Sequence, residues 1–436
     1  MKYIPLSQSL FVQNRERLKA LLKPNSVAIF NSHDEMPKSA DSQFNFSQNR
    51  DIYYLSGIDQ EDSVLIMYPD SPNPMFREML FLKRTNETIA IWEGHKYTKE
   101  EAIATSGVKR IHWLEEFDTM LQLVMHQAEN VYLNLNEHDR HSWHQNYRDL
   151  DFVNRIQLEY PLHKRERLAP LMHRLRAIKS KEEIAAMQEA VNITHKAFER
   201  ILKFVKPGVT EYEIEAEITH EFLRNRATGH AYTPIIASGA SACVLHYIEN
   251  NKACNDGELM LLDFGAEYAN YAADLTRCIP VNGKFSPRQK EVYNAVLNVH
   301  NKAKAMLLVG ETWDNYHKKV GQIMTEELLR IKLITTDDCK GDDWDNVPWN
   351  EAKAYRKYLM HGTSHFLGLD VHDVGNRYRP FEAGMVFTCE PGIYIPEEGI
   401  GVRIENDILI NEKGNFDLMG AIPIEVEAIE ELMAKK

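Results

Sequence analysis

Hydrophobic and polar residues follow two different patterns along the chain, and the change between them divides it in two. Up to about residue 170, short apolar runs of strand type alternate with amphipathic stretches of helical type. This pattern predicts a helix at Leu10–Leu22 and strands at Val27–Phe30, Val64–Tyr68, Met79–Leu82 and Val131–Leu133. After Arg176 the pattern changes to long helices. We therefore predict a mixed α/β domain at residues 1–172 and a second domain at residues 173–436.

The second domain contains two pairs of predicted helices in similar settings. Capping residues at Ser180 and Thr210 open the first pair, and capping residues at Ser286 and Thr312 open the second pair at nearly equal spacing. Strand-like sequence follows each pair. Two related α-α-β halves, arranged with pseudo-two-fold symmetry, would place their strands around a shared central sheet. Groups on those strands would then converge on one cleft.

Composition and charge restrict the class of protein. The 436 residues are 44% hydrophobic and 26% charged, which is typical of a folded globular chain, and the formal net charge of −13 has the wrong sign for a protein that binds nucleic acid. No apolar run approaches the ~18 residues that span a bilayer, and the N-terminus lacks the apolar core of a signal peptide. The 5 cysteines are widely spaced and include no Cys-x-x-Cys pair. We expect a cytoplasmic protein with neither nucleic acid nor membrane as partner.

Four carboxylates of the second domain stand at the ends of apolar, strand-like runs. Asp263 ends one run, and Asp274 follows a turn near Asn270, so the two acids would be near neighbours across an antiparallel hairpin. Glu390 and Glu405 end two later runs. Burying one unpaired carboxylate costs several kcal/mol, so four together require compensating positive charge. Two divalent cations would supply it, and oxygen ligands suit hard or borderline ions such as Mn²⁺.

Histidines are concentrated in the same half of the chain. His361, His365 and His372 fall within twelve positions. One of them can supply a nitrogen ligand, and the others can act as acid-base or oxyanion groups. His246, taken by itself, is more typical of a core histidine. Arg403 is the nearby basic residue in the acidic motifs.

Five motifs of the second domain, taken in order, resemble the pita-bread metallopeptidases, and within them the branch of aminopeptidase P and prolidase. The motifs are Leu262–Gly265, Ala273–Arg277, His361–Gly375, Glu390–Tyr394 and Arg403–Glu405. The first domain is similar to the one that precedes the catalytic domain in this family, notably at Gln48–Gly57 and Ile91–Gly94. The resemblance covers nearly the whole chain. It implies an α/β (α+β) protein in which an N-terminal mixed α/β, creatinase-like domain precedes a pseudo-two-fold pita-bread catalytic domain.

The resemblance implies a site for two divalent metal ions per subunit. Asp263 would hold one ion, Asp274 and Glu405 would bridge both, and His365 and Glu390 would hold the other. Mn²⁺ is the expected ion, with Co²⁺ or Zn²⁺ as alternatives. A water or hydroxide between the ions would be the nucleophile.

The resemblance also assigns roles to residues that do not bind metal. His246, His361 and His372 match the histidines that bind substrate and handle protons in the family. Tyr394 and Arg403 match residues that surround the active site.

A few features depart from the family or receive no role. Asn406 stands where many relatives have an acid, and Cys389 stands where an aliphatic residue is usual, but neither is an expected ligand. The segment Lys340–Trp349, rich in Asp and Trp, matches nothing in the family. A solvated helix face is predicted for three histidines at helical spacing, His138, His141 and His144.

The activity implied by the resemblance is that of an aminopeptidase that releases the N-terminal residue from peptides with a penultimate proline. A prolidase, which cuts Xaa-Pro dipeptides alone, shares the ligand set and is the alternative; Gly362–Asp370 is closer to aminopeptidase P. Methionine aminopeptidase ordinarily lacks such a first domain, and creatinase lacks the metal ligands. A pita-bread binding module without catalysis would have lost the ligands. The family also implies a homo-oligomer, either a dimer or a tetramer.

Overall fold

The computed structural model of the protein describes residues 3–140, 147–351 and 353–435. The chain forms two compact units, one of Pro5–Arg176 and one of Ala177–Lys436 with Met1–Ile4.

The first unit is built on a sheet of six strands in the order β6-β5-β4-β1-β7-β8. The strands of this unit, including a separate short β2-β3 pair, are β1 Ser26–Asn31, β2 Pro37–Ser39, β3 Ser42–Gln43, β4 Ser63–Met67, β5 Glu78–Leu82, β6 Ile111–Trp113, β7 Asn130–Leu133 and β8 Lys164–Arg167. β1 pairs antiparallel with β4 and parallel with β7. The four predicted strands correspond to β1, β4, β5 and β7, and their apolar residues are fully buried because helices cover the sheet.

Among the described residues, seven α-helices accompany the sheet of the first unit. They are α1 Gln8–Lys19, α2 Arg50–Ser56, α3 Glu87–Glu93, α4 Lys99–Ser106, α5 Phe117–Met125, α6 Arg148–Glu159 and α7 Ala169–Ala177. The predicted first helix is confirmed; it begins slightly earlier because the Ser7 side chain caps it by accepting from the Ser9 N–H. His138 lies outside any helix, so the predicted helix face is wrong there, and His141 and His144 lie outside the described residues.

The second unit contains two long helix pairs and a terminal helix, and each pair precedes a group of strands. The helices are α8 Lys181–Phe204, α9 Glu211–Arg224, α10 Pro287–Met306, α11 Trp313–Arg330 and α12 Val426–Ala434. The capping boxes predicted at Ser180, Thr210 and Ser286 are present, each with its reciprocal side chain three residues later.

The strands of the second unit fall into two groups that follow the two helix pairs. They are β9 Gly229–His230, β10 Ile235–Ser238, β11 Leu259–Phe264, β12 Ala266–Tyr268, β13 Tyr271–Ala272, β14 Leu275–Pro280, β15 Val386–Cys389, β16 Gly392–Ile395, β17 Ile400–Arg403, β18 Asn406–Asn411 and β19 Gly414–Asp417. The first group forms the sheets β10-β11-β14 and β13-β12-β9, and the second forms β15-β18-β19 and β16-β17. The predicted two-fold repetition of helices and strands, and with it the predicted fold class, is confirmed.

The two groups of strands meet where β14 and β17 lie side by side. A bridge pairs Thr276 of β14 with Glu405, which follows β17. This contact brings the acid-bearing strand ends of the two halves to one place, as the pseudo-two-fold arrangement requires.

Candidate functional site

Each of the four predicted carboxylates lies at or beside the end of a strand in the second unit. Asp263 is the penultimate residue of β11, and Asp274 directly precedes β14. Glu390 directly follows β15, and Glu405 separates β17 from β18. Strand ends place side chains rigidly because the ladder hydrogen bonds fix the backbone on one side of each residue.

The hairpin that carries the two aspartates turns at Ala269 and Asn270, which both have positive φ. The register places Asp263 opposite Thr276, so Asp274 is its diagonal neighbour on the same face, not its direct partner. The Tyr232 hydroxyl lies 2.6 Å from an oxygen of each aspartate and can donate its proton to either. The second oxygen of Asp263 accepts from the Arg403 guanidinium.

The site contains a group of side chains whose spacing suits a metal ion. One potential ligand atom from each of Asp274, His365 and Glu405 lies within 4.8 Å of the others, and all three residues are buried. His365 Nδ1 is 2.9 Å from the Phe366 carbonyl, which can only accept, so Nδ1 carries the proton. Nε2 lies 3.4 Å from Asp274 and 3.6 Å from Glu390, and these acids raise the pKa of His365 against the effect of burial. A metal ion that displaces the proton from Nε2 would leave the Nδ1–H tautomer. This tautomer is the one that a metal ligand requires.

Burial of the carboxylates opposes their ionisation in the protein alone. Burial raises the pKa of Glu390 to about 7 and raises those of Asp263 and Glu405 as well. Arg403 is the one Arg or Lys that forms an ion pair with the four carboxylates among the described residues. One guanidinium balances one negative charge, so the donor set is short of positive charge. Four carboxylates with one imidazole thus fit divalent ions, which would let all of them ionise.

A chain of hydrogen bonds runs from Arg403 through Tyr394 to His361. Arg403 donates to the Tyr394 hydroxyl at 2.8 Å, and that hydroxyl lies 2.8 Å from His361 Nε2. His361 Nδ1 lies 2.7 Å from the Gly362 carbonyl and carries the ring proton, so Nε2 accepts from Tyr394. Burial lowers the pKa of His361 to about 3 and keeps the ring neutral.

The other two predicted histidines are exposed and lie beside this group. The ring of His372 packs edge-on against His365 at a centroid distance of 4.5 Å. His246 lies near His361 and is the smallest of the groups that lower the His361 pKa, after burial, Arg403 and Arg356. His246 lies in an exposed turn, so the prediction of a core histidine, made from this residue alone, is wrong.

Sequence reasoning missed three side chains that hold the carboxylates and His365 in place. Tyr232 bridges the two aspartates, Thr276 donates to Glu405 at 2.6 Å, and the Thr388 hydroxyl accepts from the His365 N–H at 3.1 Å. Threonines are common within strands, so a threonine in a strand does not by itself indicate a site residue. Tyr232 begins a strand-like run, but its partners lie 31 and 42 residues away.

No helix among the described residues is long and apolar enough to cross a membrane.

Comparisons with known proteins agree over the length of the chain. Residues 185–412 match the model of metallopeptidase family M24, and residues 11–132 match that of the aminopeptidase P N-terminal domain. An Xaa-Pro aminopeptidase of Haemophilus influenzae is 36% identical, with 98% of each chain covered. Human Xaa-Pro aminopeptidase 3 is 30% identical, with 99% of this chain and 87% of that protein covered. The structure is also similar to Zn-substituted E. coli aminopeptidase P in complex with product, with TM-score 0.87, 34% identity and 99% of both chains covered.

Proposed function

The chain belongs to metallopeptidase family M24 and is a hydrolase, and on this premise we propose that it is an Xaa-Pro aminopeptidase. It would hydrolyse the bond between the N-terminal residue and a penultimate proline in peptides. Residues 1–172 would form the N-terminal domain, and residues 173–436 would form the catalytic domain.

One observation carries this proposal. Asp274, His365 and Glu405 meet with suitable ligand spacing, in a chain that is similar over 98% of its length to an Xaa-Pro aminopeptidase. A fold alone does not determine an activity, but a retained site in that fold supports one.

We propose two divalent metal ions per subunit, with Mn²⁺ as the expected ion. Asp263 would hold one ion, Asp274 and Glu405 would bridge both, and His365 with Glu390 would hold the other. When bound, the ions would lower the pKa of a water between them, so that it is a nucleophile at neutral pH, and would polarise the scissile carbonyl.

The remaining groups of the site would bind the peptide and move protons. The bond before proline has no N–H, and its nitrogen must gain a proton to leave. His361 is held neutral, and its Nε2 accepts a hydrogen bond from the Tyr394 hydroxyl, which would fix the ring beside the leaving nitrogen; we assign proton handling to His361. Arg403 fixes the hydroxyl of Tyr394 and balances Asp263. We assign peptide binding to the exposed His246 and His372.

The test compares kcat/KM on Xaa-Pro-Yaa, Xaa-Ala-Yaa and Xaa-Pro peptides, with and without Mn²⁺. Proline has a fixed φ and a compact ring, so a pocket shaped for it binds it with less loss of freedom than a flexible residue. We expect release of the first residue from Xaa-Pro-Yaa, little cleavage of Xaa-Ala-Yaa, and no activity after chelation. Turnover confined to the dipeptide would identify a prolidase instead. Equal rates on the alanine peptide would exclude proline specificity.

Two further properties are proposed with this function. The protein would be a homo-oligomer, either a dimer or a tetramer, which light scattering of the purified enzyme decides. It would act in the cytoplasm, a reducing compartment, and its five free cysteines fit such a setting. Fractionation of the producing cells tests the location.

A further inference from the structure

The segment that sequence comparison left without a role, Lys340–Trp349, folds onto helix α11 of the catalytic unit. Its Trp344 stacks on Tyr355 with the rings 11° from parallel, and the Lys353 ammonium lies 5.1 Å from the centre of the Trp344 ring. Lys318 of α11 forms an ion pair with Asp345 at 2.8 Å. The segment is thus a packed part of the unit, with its own aromatic contacts.

The last residue of the segment reaches a buried histidine. The ring of Trp349 stacks on His317 of α11 at a centroid distance of 4.3 Å and an angle of 21°. His317 is 2% exposed, and burial lowers its pKa to about 4, so the ring is neutral. Its Nδ1 donates to the Trp313 carbonyl at 2.9 Å, which leaves Nε2 as an acceptor.

The Nε2 atom of His317 accepts a hydrogen bond from the loop that carries His361 and His365. The Thr363 N–H donates to His317 Nε2 at 3.2 Å. The carbonyl of the same residue accepts from the Glu390 N–H at 2.8 Å. Thr363 lies midway between His361 and His365, so its backbone is tied on one side to His317 and on the other to the backbone of Glu390.

Arg356 makes a second connection between the segment and the loop. Its guanidinium lies over the Trp349 ring at 5.7 Å and donates to the carbonyls of Met360, at 2.5 Å, and His361, at 3.2 Å. The stack of His317, Trp349 and Arg356 therefore contacts the loop at its start and at its middle.

We propose that His317 and Trp349 are positioning residues that hold the loop 361–365 in the geometry needed for turnover. The proposal rests on the proposed function, because it assigns His361 and His365 to the reaction. Trp349 restricts the imidazole of His317 to one plane, and His317 in turn fixes the Thr363 amide. Displacing a reacting group by about 1 Å can cost on the order of 100-fold in rate, so a loosened loop should lower kcat.

The test uses two graded pairs of variants with one control. His317→Leu removes the acceptor for the Thr363 N–H, whereas the side-chain oxygen of His317→Gln can reach nearly the same place. Trp349→Ala removes the stack, whereas Trp349→Phe keeps a ring. Trp344→Phe is the control, because Trp344 packs in the same segment but stacks on Tyr355 instead of His317.

Hydrogen exchange of the peptide that contains Thr363 is the readout independent of activity. We expect exchange at least about 10-fold faster in His317→Leu and Trp349→Ala, and near the wild-type rate in His317→Gln, Trp349→Phe and Trp344→Phe. We expect kcat on Xaa-Pro-Yaa to fall about 10- to 100-fold in the first two variants, with KM within about threefold and metal content unchanged. If His317→Leu fails to fold, the comparison of Trp349→Ala with Trp349→Phe tests the proposal.

The outcomes separate this proposal from the proposed function. A wild-type enzyme inactive on Xaa-Pro peptides contradicts the proposed function, while the exchange measurement still tests the connection to the loop. Unchanged exchange at Thr363 in Trp349→Ala overturns the inference, as does an equal fall of kcat in the Trp344→Phe control. Loss of bound metal in Trp349→Ala would also overturn it, because the effect would then arise at the ligands.

Discussion

A buried aspartate in the first unit should make the stability of that unit depend on pH in a defined direction. Asp149, in the first turn of α6, is 5% exposed. Its oxygens accept from the side-chain amides of Asn31 at 2.8 Å and Asn49 at 3.2 Å. Burial raises the pKa of Asp149 from 3.8 to about 7, because two neutral amides and the partial help of Arg148 do not offset the lost hydration and the nearby charge of Asp51.

The sign and size follow from this shift. Between about pH 4 and pH 7 the folded unit keeps a proton that the unfolded chain releases, so the free energy of unfolding falls as pH rises through this window. A pKa raised by about three units corresponds to about 4 kcal/mol. For a unit of this size that is roughly 10 °C in Tm.

The variant Asp149→Asn removes the titration while keeping the shape. Asn49 must keep its orientation, because its oxygen caps α2 by accepting from the Asp51 N–H at 2.9 Å. The new amide can accept from Asn49 and donate to a rotated Asn31, so about one hydrogen bond, or ~1 kcal/mol, is at risk. We expect the variant to be near wild-type stability at pH 4.5 and more stable than wild type by about 3 kcal/mol at pH 8.

Scanning calorimetry of the full chain at pH 4.5 and pH 8 measures the change in stability. Hydrogen exchange of the β1 and β7 peptides shows that the change occurs in the first unit. Asp151→Asn on the exposed face of the same helix is the control and should show no such change. Variants are compared at the same pH, so intrinsic exchange rates cancel. If the difference in stability between Asp149→Asn and wild type does not grow with pH, Asp149 is already ionised in the folded unit and the reasoning fails.

Three further predictions concern the catalytic unit. Glu405→Ala should lose bound metal and activity together, measured by metal analysis and peptide assay, because three carboxylates would remain for two ions; full metal content with full activity would exclude Glu405 from the site. His361→Ala should keep its metal and lose about 10²- to 10⁴-fold in kcat; a protein that cannot be reloaded with metal would instead make His361 a ligand. Lys179→Met should lower the free energy of unfolding, measured by urea titration, by about 3 kcal/mol. The change removes the ammonium that pairs with Asp373, and both side chains of this pair are 1% exposed. Adding Asp373→Asn should recover part of the lost stability, and no recovery would show that the pair is not the cause.

Local patterns of the sequence were sufficient to predict the elements that carry the site. The capping box at Ser180 and its counterparts marked the long helices, since capping depends on residues three apart. Apolar runs ending in Asp263 and Glu390 marked buried strands with a carboxylate at the end, and burial of acids indicated metal because the physical cost of an unpaired charge is independent of the fold.

The pairing of these elements was decided by the tertiary structure. The hairpin register placed Asp263 opposite Thr276, a shift that the position of the turn alone does not determine. Arg403 is paired with Asp263 across 140 residues of chain, and Tyr232 joins the two aspartates. Such contacts depend on which strands become neighbours, and periodicity carries no information about that.

The segment Lys340–Trp349 shows most clearly what the sequence determines and what the tertiary structure decides. Its composition of Asp and Trp fits an exposed loop as well as a packed one, so the sequence by itself left it without a role. In the folded unit Trp349 lies on His317, and His317 accepts from Thr363 beside the site histidines. The sequence determined which side chains are able to stack and to accept a hydrogen bond. The fold decided which partners they meet, because stacking and hydrogen bonding act over a few ångströms between residues that the chain alone leaves far apart.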